Sequence, residues 1–148
     1  MSDLCARPRL VVAGVGQEDA RPGSLASSWF VAAASVLAGA GASRLWERAV
    51  PDHEDQEWDY ERPERYRCEA ARSTQRPRNK HFSCCSGVFK FNFWRFGSWQ
   101  QVLVDDLIPT KDGTPVFTHS KDKNEWWAAL MEKAYAKYKP SRINDFHG

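Results

Sequence analysis

The stretch 87–107 leaves the least conformational freedom in this 148-residue chain. Between Gly87 and Trp99, Phe89, Phe91 and Phe93 alternate with Val88, Lys90 and Asn92. Apolar side chains two residues apart share one face of a strand, whereas a helix would scatter them around its circumference. The segment therefore predicts a half-buried strand, a turn at Phe96, Gly97 and Ser98, and a second strand from Gln100 to Leu107. Asp112-Gly113 is a second tight-turn signal, leading into a short strand at Pro115–Thr118.

Three segments read as helices. Leu25 to Leu37 is apolar and alanine-rich, which predicts a helix buried on most sides, with Ser27 or Ser28 placed to cap it. Ser43 to Val50 is short and amphipathic and is stopped by Pro51. From Asn124 to Tyr138, the positions Trp127, Leu130, Met131, Ala134 and Tyr135 follow helical spacing. Residues 1–22 read as an irregular segment, and Asp52 to Ser86 is polar and Arg-rich, with little regular structure expected. These elements predict an α+β fold: a buried N-terminal helix packed on a small antiparallel sheet, closed by a C-terminal helix.

Composition removes several functional classes. Charged residues make up 27% of the chain and the formal net charge is +2, so no basic field points to nucleic acid. No apolar run approaches the roughly 18 residues of a membrane span, and the start of the chain lacks the pattern of a signal peptide. The four cysteines do not form a secreted disulfide framework, and a reduced, cytoplasmic setting is expected. Cys68, His81, Cys84 and Cys85 match no standard zinc spacing. They fall in a stretch that also carries Arg67, Arg72, Arg76, Arg78 and Lys80. It reads as a solvated basic loop rather than a partner-binding one.

Two groups of residues carry a family resemblance. Gly23, Leu25, Trp29 and Phe30 keep the register of a nucleophile motif of the form Gln-Gly-x-x-Gly-(Asp/Asn)-Cys-Trp-Phe. Gly87, Phe89, Phe91, Phe93, Trp94, Phe96, Gly97 and Trp99 repeat a long aromatic strand motif. Asp105, Asp106, Pro109, Gly113, Phe117, His119, Asn124, Glu125, Trp126, Trp127 and the run Glu132–Lys137 continue it. On these residues the chain resembles the calpains, the calcium-dependent papain-like cysteine proteases. The match covers about 23–66 and 87–138, with 67–86 as an inserted basic loop and 141–148 as a divergent tail. Leu45–Pro51 and Gln56–Asp59 are similar to atypical calpains, which lack the EF-hand module. The insertion and tail together suggest a non-standard splice product or gene model.

The resemblance implies the first half of a two-part protease core acting on protein or peptide substrates. The general base and Asn would lie in a complementary second half, and the chain is expected to lack both. Ser28 stands at the position of the family's nucleophilic cysteine, and Pro22 at that of its oxyanion-hole glutamine. A helix dipole and a neighbouring cation stabilise a thiolate, but a hydroxyl needs a positioned base. Proline offers neither a side-chain amide nor a backbone N–H to an oxyanion. Ser28 is accordingly read as an N-cap hydroxyl and the chain as catalytically inactive, the alternative being a pseudoprotease that binds a partner. His119 is expected to be structural, and His53, His81 and His147 solvated. The resemblance further implies a Ca²⁺ site at Asp19 and Glu125, though Glu125 reads equally as a helix first-turn carboxylate. Asp105 and Asp106 read as structural or solvated.

Overall fold

The computed structural model describes residues 4–24, 27–39, 41, 43–56, 58 and 87–139. In chain order the elements are β1 (Ala20–Arg21), α1 (Ser28–Leu37), α2 (Ser43–Ala49), β2 (Val88–Arg95) and β3 (Ser98–Asp105). They are followed by β4 (Thr110–Lys111), β5 (Thr114–Pro115), β6 (His119–Ser120) and α3 (Trp127–Tyr138). Helices and small antiparallel sheets are mixed along the chain, as an α+β fold requires. Among the described residues, no helix is long and apolar enough to cross a membrane. The segment 67–86, with its cysteines and His81, lies outside the described residues, as does the tail 141–148.

The predicted hairpin forms. β2 and β3 pair antiparallel from Val88 opposite Asp105 to Arg95 opposite Ser98. Phe96 and Gly97 connect them, with φ of 48° and 78°, a backbone twist that suits a two-residue connection. Phe89 and Phe91 are buried along with their partners Val104 and Val102. Asp112 and Gly113 also take positive φ and join β4 to β5, as the Asp-Gly signal predicts; the second strand there is Thr114–Pro115 rather than Pro115–Thr118.

Gln56 bonds β2 as a neighbouring strand would. Its side chain is fully buried. The amide oxygen accepts from Lys90 N at 2.6 Å and the amide nitrogen donates to Lys90 O at 3.2 Å. Pro51 O accepts a further bond from the same nitrogen. One side chain thus satisfies both main-chain groups of Lys90 on the side of β2 away from β3. Next to it the Trp58 ring lies 4.5 Å from Phe89, and its indole N–H donates to Asp106 at 3.1 Å.

Helix α3 runs through the core. Residues Trp127 to Glu132 and Ala134 are all buried. Its first turn is capped by main chain rather than by a side chain. Trp126 N and Trp127 N donate to the carbonyls of Arg9 and Leu10, both at 3.0 Å, and Arg9 N donates to Asn124 O at 2.7 Å. These bonds supply acceptors that a helix start otherwise lacks. On the opposite flank Lys133 bonds Leu107 O at 2.6 Å and Asp105 O at 3.0 Å and pairs with the Asp105 carboxylate. Lys137 reaches Leu103 O at 2.7 Å. Burial pushes the Asp105 carboxyl up, but the bonds from Lys133 and from Leu107 N more than offset this and hold it below the usual range.

Three expectations need correction. Residues 1–22 contain β1 and a bridge between Arg9 and Glu125, with Leu10 in the core; the pairing partners lie about a hundred residues away, beyond any local pattern. Helix α1 is not buried on most sides. Phe30 and Ala34, with Ala38 just past its end, face inward at four-residue spacing, while Trp29 and Val36 are 55% and 73% exposed. A run of alanines carries no polar face to mark which side meets solvent. Finally, among the described residues the strands form three two-stranded sheets rather than one, and α1 packs chiefly on β1 and α2 rather than on the β2–β3 hairpin.

Replacing Gln56 by Ala strands the N–H and C=O of Lys90. The expected loss is about 2 kcal/mol, since an unpaired buried polar group costs on the order of 1–3 kcal/mol. A denaturant melt should show a lower midpoint with an unchanged slope.

Candidate functional site

Residues 19–24 and 27–28 are laid along a second segment, residues 116–121, which acts as a rail. At one end Lys121 N donates to Asp19 O at 2.8 Å. Next, β1 and β6 pair antiparallel, Ala20 opposite Ser120 and Arg21 opposite His119. Gly23 then passes so close to the rail that a Cβ there would overlap the carbonyl oxygens of Phe117 and Val116. At the far end the Ser27 hydroxyl lies 3.4 Å from that of Thr118, both buried. Helix α1 begins at the next residue.

Ser28 is the first residue of α1, and its side chain is exposed. The N-cap position belongs to Ser27, whose carbonyl accepts from Phe30 N at 2.8 Å and Val31 N at 3.0 Å. The Ser27 hydroxyl makes no capping bond, because it is turned toward Thr118. The N-cap role expected of Ser28 therefore falls to its neighbour, and through the backbone alone. Residue 28 stands at the positive end of the α1 dipole, open to solvent. Pro22 is also exposed. Trp29 leans on Tyr135, with ring centroids 5.3 Å apart.

Asp19 and Glu125 form an acidic corner at the start of the rail. Glu125 is 4% exposed and precedes α3, so the first-turn reading of this residue is not realised. Its carboxylate accepts from Val12 N at 2.8 Å, and that of Asp19 from Gly16 N at 2.5 Å. Burial raises the Glu125 carboxyl above its ordinary value and the nearby charge of Asp19 adds to the rise, while Val12 N partly offsets it. Two carboxylates bracketing the loop 12–19, one of them buried, are a donor set for a hard cation. Among the described residues, no three His, Cys, Asp or Glu side chains converge as a metal cluster; loop carbonyls would have to complete the shell.

The remaining sequence candidates are dispersed. His119 is half-buried in β6 opposite Arg21. His53 packs edge-on against Trp46 at 6.2 Å. Asp105 and Asp106 are held by Lys133 and Trp58, in keeping with their structural reading. Residues overlooked in the sequence are Thr118 and Glu132. The carboxylate of Glu132 is buried and accepts from Thr118 N at 2.5 Å. Its place in α3 four residues after buried Ala128 is the one local sign that it faces inward.

Gly23→Ala is expected to cost about 2 kcal/mol or more, the range for forcing an extra methyl into packed structure. The Cβ would meet main-chain carbonyls, which cannot rotate away. Thermal melts check the loss, and amide exchange at 20, 21 and 23 and at 116–120 should rise together.

A model of the family described as calpain family cysteine protease matches residues 1–144, the N-terminal segment included. Calpain-5 of Mus musculus is 42% identical over 135 residues, covering 91% of this chain and 18% of that protein. Calpain-5 of Caenorhabditis elegans is 40% identical over 135 residues, 91% of this chain and 17% of that protein. Calpain-8 of Rattus norvegicus is 34% identical over 136 residues, 92% of this chain and 16% of that protein. The chain thus spans less than a fifth of the length of these relatives. With the aromatic hairpin formed and a small-residue helix opening at residue 28, the match extends over nearly the whole sequence, and the chain belongs to the calpain family of cysteine proteases.

Proposed function

We propose that this chain is the nucleophile-bearing half of a papain-like calpain core that does not cleave peptides by itself. The observation that carries this reading is the side chain at the exposed start of α1, a serine. A helix dipole there would favour a thiolate, but it cannot ionise a hydroxyl appreciably near neutral pH. A serine nucleophile needs a base within hydrogen-bond reach, and no hydrogen bond among the described residues joins a histidine to Ser28. Pro22, at the oxyanion-hole position, has no donor to offer. Loss of one such donor typically costs on the order of a hundredfold or more in rate. Protein substrates, a cytoplasmic setting and a complementary core half belong to this same reading.

Calcium enters the proposal through Asp19 and Glu125. A bound Ca²⁺ would neutralise the two carboxylates and tie loop 12–19 to the start of α3. It would act on the alignment of the rail rather than on a bond being broken. A second reading, a pseudoprotease that binds a partner, is favoured by the exposed Trp29 beside Ser28. An aromatic ring at the mouth of a lost active site suits peptide contact without turnover.

Hydrolysis of a fluorogenic peptide with calcium tests the central claim. The unmodified chain and Ser28→Cys alone should both stay at background. The double variant Pro22→Gln, Ser28→Cys, mixed with a core half that carries the His and Asn, should turn over. Cleavage by the unmodified chain would refute the inactive reading. For calcium, the melting temperature should rise with added metal, and Glu125→Gln should abolish the rise; an unchanged melt at millimolar calcium would remove Asp19 and Glu125 as ligands.

A further inference from the structure

Glu132 is a costly residue to keep where it is. It lies among Trp127, Ala128, Leu130 and Met131 on the buried part of α3 and is 7% exposed. Taking a carboxylate out of water is unfavourable unless donors satisfy it, and an apolar side chain of similar shape would pack there without that cost. Its bond is to main chain, from Thr118 N at 2.5 Å. The partner residue is the part of the rail that faces Ser27.

The chain of contacts then runs in one direction. Glu132 fixes the peptide of Thr118. The Thr118 hydroxyl, fully buried, meets the Ser27 hydroxyl at 3.4 Å. The Ser27 carbonyl accepts both first-turn bonds of α1, from Phe30 N and Val31 N. A shift of Thr118 is therefore transmitted to the turn that carries residue 28. Gly23 approaches the same rail closely at the main chain of Phe117 and Val116, next to Thr118.

We propose that Glu132 is a positioning residue: acting through Thr118 and Ser27, it sets the direction in which the side chain of residue 28 leaves α1. This rests on the reading of residue 28 as the nucleophile position. It adds a residue that touches neither substrate nor nucleophile and yet governs where the nucleophile stands. In a family member with cysteine at this place, the equivalent carboxylate would orient a thiol. In this chain it still orients the first turn.

The test uses the full chain carrying Ser28→Cys, so that side-chain presentation at residue 28 can be read chemically. Two quantities are measured: peptide-resolved alkylation of the introduced thiol by iodoacetamide, and hydrogen exchange at the amides of 28–31. Glu132→Leu should speed first-turn exchange about tenfold, equivalent to opening made easier by about 1.4 kcal/mol. It should also change the alkylation rate at least about threefold, because thiol reactivity follows its local field and access. Glu132→Gln keeps an oxygen for Thr118 N and should stay within about twofold on both readouts. Thr118→Val should behave like Glu132→Leu, and Thr118→Ser should rescue it.

Unchanged exchange and alkylation in folded Glu132→Leu would overturn the proposal, as would an equal loss in Glu132→Gln. Should Glu132→Leu fail to fold, Thr118→Val against Thr118→Ser carries the same criterion, and equality of that pair overturns it. Neither readout involves peptide cleavage. Turnover by the unmodified chain would bear on the inactive reading alone.

Discussion

The burial of α3 is the constraint on which the other elements depend. Its first-turn N–H groups are taken by the carbonyls of Arg9 and Leu10, which draws the N-terminal segment into the core. Its middle holds Thr118 through Glu132, which fixes the rail under β1 and α1. Its last turns reach the β2–β3 hairpin through Lys133 and Lys137. Helix α2 joins by a ring contact, Trp46 against Trp127 at 5.1 Å. Each neighbour meets α3 by a different chemistry: main chain, carboxylate, ammonium, aromatic edge. A disturbance of α3 therefore reaches all of them, whereas a disturbance of the hairpin tip reaches few.

How much of this could be read from the sequence follows from the range of each interaction. The β2–β3 hairpin and the Asp112–Gly113 turn are local, and period-two aromatics and turn residues announced both. Helix α3 declared itself by spacing, although its start fell three residues later than expected because Asn124 and Glu125 are used for bonds to the N-terminal segment. The pairing of β1 with β6 was invisible: two residues on each side make no pattern. Gln56 was invisible too, since a lone glutamine in a polar stretch gives no sign that it is fully buried. For α1, alanine's indifference to water concealed the fact that one narrow stripe faces inward.

At the candidate site the scaffold and the chemistry part company. Residue 28 is placed by the close approach of Gly23, the paired β1 and β6, and the contact of Ser27 with Thr118. In the function proposed above, the parts that would act on a substrate are the ones altered, with a hydroxyl at residue 28 and a ring without a donor at residue 22. Placement depends on backbone geometry that a Cys-to-Ser change does not disturb, because the two side chains differ by one atom and Ser28 faces solvent. Ionisation depends on that atom entirely. The family was therefore recognisable from the motif, while the activity had to be argued from individual side chains.

The caps on the hairpin have a consequence for self-association. An exposed strand edge offers unpaired main-chain groups on which a strand of another molecule can add, and repeated addition builds aggregates. On β2, Gln56 occupies both groups of Lys90. On β3, Lys137 and Lys133 occupy the carbonyls of Leu103 and Asp105. Those sites are spent within the molecule, and the β3 side also carries two ammonium charges that a second copy would have to desolvate. Around Lys90, Leu103 and Asp105 the ribbon, which exposes Trp94 and Phe96 near its tip, thus offers fewer free main-chain groups for a strand of another molecule to add to.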